Sequence, residues 1–194
     1  MKYIKFPIFL AMLFNCNILS AQESTIQKEQ AEFMQSRTDS VAVGKAIPDF
    51  TMVNERLEEV QFSSLLGKTV VIDIWATWCK PCIALSPAFE KVKEELQNEA
   101  IVFLSISVDQ DEDKWINYTE EHQVNYDRYW VGKEAENPIV WFTFGEFEHE
   151  EQKVWAESIP RFIVVNKSGK VELLNFGQPG MPSFKKAIKK ALKN

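Results

Sequence analysis

Cysteine is scarce in this chain, with three among 194 residues, and histidine is scarcer, with two. A structural zinc centre takes four ligands, commonly a second Cys pair or a His pair beside the first. Cys16 stands far upstream of Cys79 and Cys82, and His122 and His149 are isolated. No metal site is therefore expected. Basic residues are also in deficit, 22 against 28 acids, for a net charge of −6. Loss of Met1–Ala21 would remove Lys2 and Lys5 and no acid, leaving 20 bases against 28 acids and a net of −8. Such a chain is a poor partner for nucleic acid, whose phosphates recruit Lys and Arg. The apolar run at Ile8–Phe14 is too short to span a bilayer. There is no internal repeat and no low-complexity tract. What remains is an ordinary apolar fraction, 45%, in a length that fits one domain with extensions.

Lys2 and Lys5, the apolar run and Leu19-Ser20-Ala21 together read as a secretory signal over residues 1–21. Export, to a periplasm or a cell surface, places the remainder where disulfides persist. An alternative reading makes Leu13-Phe14-Asn15-Cys16 a lipid-attachment site through Cys16, against which stands the bulk of Asn15. Cleavage after Ala21 would leave two cysteines, Cys79 and Cys82. Residues 22–43 form a polar extension with scattered Ile26, Phe33 and Met34, read as a loose tail or a short packed helix. The folded domain is expected over residues 44–194.

The densest information lies in Val70–Cys82. A β-branched run, Val70 to Trp75, leads into Cys79-Lys80-Pro81-Cys82. Beyond it Leu85, Phe89, Val92 and Leu96 step by four, three and four, one stripe of an amphipathic helix. The pattern is strand, turn, helix, with Cys79 exposed at the turn and Cys82 inside the first helical turn. A Cys-x-x-Cys in that context reads as a thiol–disulfide redox pair; a purely structural bridge is the plainer alternative. The unpaired amides and positive dipole of a helix N-terminus favour thiolate over thiol. Lys80 acts in the same direction, so Cys79 is expected to titrate below the usual value of about 8.5 and to be the attacking sulfur. Pro81 suits the first helical turn and stiffens it. Asp73 is out of character in an apolar strand. Buried there, it should resist ionisation, and it is a candidate proton acceptor for the Cys82 thiol.

Elsewhere Ala46–Val53 reads as an edge strand and Val60–Leu66 as a short strand or turn. Pro87 should kink the helix without ending it. Ile101–Val108 reads as a second buried strand of a parallel βαβ unit. Asp109–Asp113 offers caps for a helix through His122, with Trp115 and Tyr118 turned inward and His122 solvated at its end. Asn125–Ser158 is rich in Tyr, Trp and Phe and then in Glu. It is read as a helical or looped insertion over the sheet, with a specificity surface as the sharper alternative and His149 at the surface. A strand begins at Ile159-Pro160, and Asn166–Gly169 turns it into Val171–Phe176. Pro182 opens a last helix with Phe184, Ala187, Ile188 and Ala191 inward and a solvated lysine face.

Asp73-x-Trp75-Ala76-x-Trp78-Cys79-Lys80-Pro81-Cys82, followed by Pro87, resembles the thioredoxin active-site segment. Gly44–Phe50, Leu65-Leu66-Gly67-Lys68 and Ser107-Val108-Asp109 are similar to the TlpA/ResA-like extracytoplasmic branch, and Ile159–Val165 resembles the thioredoxin cis-proline strand. The resemblance implies a thioredoxin-like α/β sandwich: a mixed central sheet flanked by helices, with an N-terminal extension and a central insertion. It implies a thiol–disulfide oxidoreductase needing no metal or organic cofactor, acting on protein disulfides or dithiols. Cys79 would attack and Cys82 resolve, with Asp73 as proton acceptor. Trp78, Ile159 and a cis Pro160 would shape substrate docking, and Lys80 and Pro81 would tune the pair. That branch often carries a Glu three residues after the second cysteine; here that place is Leu85, which shifts the role onto Asp73. The resemblance leans toward a reductant recharged by a membrane thiol donor, with cytochrome c maturation as one substrate class. An oxidase or isomerase, or a non-enzymatic binding or chaperone module, are the alternatives. A peroxidase of the peroxiredoxin group would need Pro-x-x-x-Thr-x-x-Cys, which the chain lacks.

Overall fold

The computed structural model describes residues 28–96, 100–132, 136–149, 152–175 and 179–194. The expected signal segment, residues 22–27 of the extension and Phe176 lie outside these. Residues 28–40 are helical (α1). Along it Lys28 pairs with Glu32 one turn on, and the Arg37 guanidinium sits 5.2 Å from the Phe33 ring centroid.

The rest of the chain is organised on a seven-stranded sheet of order β2-β1-β5-β4-β3-β8-β9. The strands are β1 (Thr51–Asn54), β2 (Glu59–Gln61), β3 (Thr69–Trp75), β4 (Ile101–Ser107), β5 (Asp127–Trp130), β8 (Arg161–Val165) and β9 (Val171–Asn175). The central three, β3, β4 and β5, run parallel. Helix α2 (Lys80–Leu96) makes the first crossover and α3 (Glu112–Glu121) the second, as parallel strands require. Strands β8 and β9 are antiparallel to their neighbours, so the sheet is mixed. Their hairpin turns through Gly169 at φ 81°, a left-handed conformation that glycine adopts without a Cβ penalty. Helix α4 (Pro182–Ala191) closes the chain.

Strand β3 is buried at every position from Thr69 to Trp75, as expected of a strand covered on both faces. Period two divides its side chains. Val71 joins Phe103, Phe162 and Val164 in a core completed by Phe89 and Val92 of α2 and by Phe184, Ile188 and Ala191 of α4. Phe89 is the hub, with Phe103, Phe162 and Tyr126 rings at 5.7, 5.7 and 5.1 Å. Complete burial of each such ring is worth roughly 1.5–3 kcal/mol. Asp111 caps α3 by accepting from the Lys114 amide at 3.3 Å, and Pro87 lies inside an α2 that runs on past it. On α4, Lys185 is paired with Glu95 and Lys190 with Glu172.

Two expectations need correction. Ala46–Val53 is not an edge strand. Only Thr51–Asn54 is a strand, it lies one place in from the edge, and Ala46 makes an isolated bridge to Lys170. Pro48 supplies no amide for a ladder there. Val60–Leu66, read as a short strand or turn, holds both, the end of β2 and a 3₁₀ turn at Phe62–Leu65. The described residues of Asn125–Ser158 are more than a helical or looped insertion. They supply β5 to the sheet, a buried 3₁₀ turn at Pro138–Thr143, and a separate hairpin of β6 (Phe144–His149) and β7 (Gln152–Glu157). Strand β5 is four residues long and its neighbours in sequence carry no alternation, which is why periodicity passes over it. The side chain of His149 lies outside the described residues.

Candidate active site

Strand β3 ends at Trp75, and the chain turns through Ala76–Cys79 into α2 at Lys80. The Cys79 amide donates to the Ala76 carbonyl at 3.0 Å, and the Ile83 amide to the Cys79 carbonyl at 3.1 Å. Cys79 thus stands immediately before the helix. Its Sγ lies 3.2 Å from the Cys82 amide, the place a capping side-chain oxygen takes at other helices. Cys79 and Cys82 form a disulfide with Cα atoms 5.3 Å apart. In that state Cys79 is 4% exposed and Cys82 2%, so the first cysteine is not the open group expected of it. The side chain that does stand out is Trp78, 58% exposed. Lys80 and Pro81 are exposed on the first turn of α2.

The turn is held from behind by Asp109, which is buried at the end of the segment after β4. Its carboxylate accepts from the Thr77 amide at 2.9 Å, from Thr77 Oγ1 at 2.8 Å and from Ser107 Oγ at 2.6 Å. Its carbonyl accepts from Trp130 Nε1 at 2.8 Å. Asp109→Ala would strand all three carboxylate donors. At about 1–3 kcal/mol for an unsatisfied buried group, partly relieved by water entry, urea denaturation should register a loss of about 2–3 kcal/mol.

Asp73 lies under the cysteines. It is 3% exposed, and burial alone raises its carboxyl from 3.8 to about 8. Across the parallel ladder it faces Ser105, and Ser105 faces Arg128. These three form a polar row over adjacent strands. Above the row is a cavity of about 220 Å³, bounded by α2, by α3 and the chain that follows it, and reached by Asp73 and Cys82 together. Sequence periodicity put a carboxylate in β3; the structure sets it against the same cavity as the second sulfur.

Ile159 and Pro160 immediately precede β8, and the peptide bond between them is cis. Both are partly buried. The next residue, Arg161, pairs with Ile74 across the ladder. Its guanidinium is buried and donates to the Phe144 carbonyl at 3.1 Å, and burial works against its charge. It ties the foot of the β6–β7 hairpin to the strand beside the cysteines. The hairpin leaves Phe147 and Val154, cross-strand partners, each 37% exposed.

Period and motif assign no site role to Ser86, Glu90, Ser105, Tyr126 or Asp109. Two signals were available. Cys82, Ser86 and Glu90 recur at intervals of four, which places them in one line along α2, and Ser105 interrupts an apolar strand as Asp73 does. Among the described residues no group of three or more His, Cys, Asp or Glu side chains is arranged to hold a metal ion, and no helix is long and apolar enough to cross a membrane.

Residues 43–173 match the model of the AhpC/TSA family. Thioredoxin of Coprinus comatus is 44% identical over 57 residues, 29% of this chain and 54% of that protein, so the chain spans about half the length of that relative. The thiol–disulfide oxidoreductase ResA of Geobacillus thermodenitrificans is 25% identical over 150 residues, 76% of each protein. Among solved structures, a candidate thiol–disulfide oxidoreductase of Bacteroides vulgatus superposes with a TM-score of 0.64 at 26% identity, over 79% of this chain and 99% of that one. The fold is thioredoxin-like.

Proposed function

This chain belongs to the AhpC/TSA family, and from that premise we propose that it is a thiol–disulfide oxidoreductase acting on protein substrates. The observation that carries the reading is the Cys79–Cys82 pair at the start of α2, with the Cys82 amide 3.2 Å from Cys79 Sγ. In the reduced protein that amide and the helix dipole stabilise a Cys79 thiolate, and Lys80 adds positive charge. The thiolate attacks a substrate disulfide, a Cys79–substrate bond forms, and the first substrate sulfur leaves as thiolate. Cys82 gives its proton to Asp73 and attacks Cys79 Sγ. The Cys79–Cys82 bond forms, the second substrate sulfur departs, and two electrons have passed from protein to substrate.

Trp78, Ile159 and Pro160 form the docking surface, where the backbone beside Pro160 can pair with an extended substrate strand. Pro81 keeps the two sulfurs at bridging distance. The protein works as an exported reductant at the periplasm or cell surface, recharged by a membrane thiol donor, and cytochrome c maturation is one substrate class that fits. The opening segment Met1–Ala21 supports export, and the likeness to ResA supports the reductant reading.

The Cys79–Cys82 reduction potential tests it. A value near about −270 mV is expected of a reductant, whereas one near about −120 mV would make the protein an oxidant. Reduction of insulin by the wild type, lost in Cys79→Ala/Cys82→Ala, tests the class. Function surviving that double change would turn the protein into a binding module. Turnover of hydrogen peroxide without any protein disulfide would make it a peroxidase.

A further inference from the structure

The cavity behind the disulfide has polar walls in an ordered arrangement. Its floor is the cross-strand row Asp73–Ser105–Arg128. One side is α2, where Cys82, Ser86 and Glu90 fall at successive intervals of four and all line the space. Side chains so spaced are neighbours along one helix face. Tyr126 comes in from the chain before β5, and its hydroxyl lies 2.9 Å from Ser86 Oγ. Four lining residues each carry a buried polar atom with no hydrogen-bond partner among the described residues: Asp73 Oδ1, Trp75 Nε1, Ser105 Oγ and Arg128 Nε. Buried polar groups of this kind are satisfied by ordered water. At about 30 Å³ per molecule, a space of about 220 Å³ accommodates several. Cys82 and Asp73 are buried at the inner end, while Glu90 is partly exposed.

We propose that this cavity is a hydrated proton-release route and that Glu90 is its outer exchange group, positioned by the α2 line Cys82–Ser86–Glu90 and linked to Asp73 through water held by Ser105, Ser86 and Tyr126. The proposal rests on the oxidoreductase reading. In the resolving step the Cys82–Cys79 bond forms and the bond from Cys79 to substrate breaks. Buried Asp73 holds a proton at neutral pH, so it must release that proton before it can take the one from Cys82, and release precedes the resolving step. A carboxyl sealed at the sheet has no direct path to bulk solvent, and the water line to Glu90 supplies one. The other titratable groups facing the space are Tyr118 and His122 from α3 and its end, Tyr126, and Arg128 from β5. Burial raises the Tyr118 and Tyr126 hydroxyls. Arg128 is engaged with Glu55 and with the His122 and Thr119 carbonyls. The His122 ring is stacked on Tyr118 with Nδ1 3.0 Å from the Tyr118 carbonyl. Glu90 is the carboxylate in line with the reacting sulfur.

The test is a stopped-flow measurement of oxidation of the reduced full-length protein by a peptide disulfide, followed through tryptophan fluorescence. It compares wild type, Glu90→Gln, Ser86→Ala, Asp73→Asn and His122→Asn, in dilute buffer and with added imidazole. Glu90→Gln is expected to slow the resolving phase by roughly tenfold in dilute buffer, a fraction of what a general base itself contributes. Imidazole, as a diffusible proton carrier, should restore it, and Ser86→Ala should behave alike in milder degree. A slow Glu90→Gln that imidazole does not rescue would mark a merely structural residue and overturn the proposal. So would an unaltered Glu90→Gln beside a slow Asp73→Asn, or a rescued defect in His122→Asn alone. A wild type that exchanges no disulfide would overturn the oxidoreductase reading itself, and this proposal with it.

Discussion

Cys82→Ser, reduced and mixed with a disulfide-bonded polypeptide, is expected to stop as a covalent adduct through Cys79. The first attack needs only the Cys79 thiolate and the amide that faces it, both of which remain. The second needs a nucleophile three residues on, and a serine hydroxyl is far too weak at neutral pH. Intact-mass analysis should show the protein plus one substrate chain, released by dithiothreitol. Cys79→Ser should give no adduct, because the attacking sulfur is gone and Cys82 lies within the first turn of α2, against the cavity. Both changes should reduce multiple turnover on the order of 10³-fold or more, as loss of a nucleophile does elsewhere. An adduct in Cys79→Ser and none in Cys82→Ser would reverse the assignment of the two sulfurs.

Asp73→Asn should change the pH dependence of stability more than any other single polar substitution in the site. The carboxyl is raised from 3.8 to about 8 by burial. Between those values the folded chain keeps a proton that the unfolded chain has released. The protective contribution is therefore complete below about pH 4 and disappears as pH rises toward 8. A shift of about four units corresponds to several kcal/mol, on the order of 5. Asparagine has the same shape and no proton to lose, so the variant should be the more stable protein at pH 9 by a few kcal/mol and nearly equal to wild type at pH 4. Urea denaturation of both proteins at pH 4, 7 and 9 checks this. Parallel curves at all three values would mean that Asp73 ionises in the folded protein as readily as in water. Stability gained at the expense of exchange rate would place Asp73 among the groups kept for chemistry.

The sequence discloses the site in proportion to how local it is. Val70–Leu96 is strand, turn and helix within one continuous stretch, and each piece declares itself by period, by β-branching or by the cysteine pair. Asp73 is legible for the same reason, a charge in a run that should hold none. Asp109 and Tyr126 are not, because their partners Thr77 and Ser86 lie 32 and 40 residues away, and no periodicity encodes a contact between elements. Strand β5 fails for a related reason. Its place in the sheet is fixed by pairing with β4 and β1, while its own four residues, Asp127-Arg128-Tyr129-Trp130, read as an amphipathic scrap. The burial of Cys79 is not legible, because exposure is set by packing between elements that the local pattern does not carry.

The β6–β7 hairpin departs from the main chain and returns to it at nearly one point, for the Ser158 amide donates to the Thr143 carbonyl at 2.8 Å. Everything before that closure, from Ile139 to Thr143, is buried, and β8 follows soon after it. The arm between is consequently a cassette. Beyond the Arg161 bond to the Phe144 carbonyl at its foot, its length enters the folding free energy through loop closure, at about 0.6 kcal/mol for each doubling, and the seven-stranded sheet pairs without it. A change of length beyond that foot is therefore expected to leave the strand order and the cysteine turn as they are.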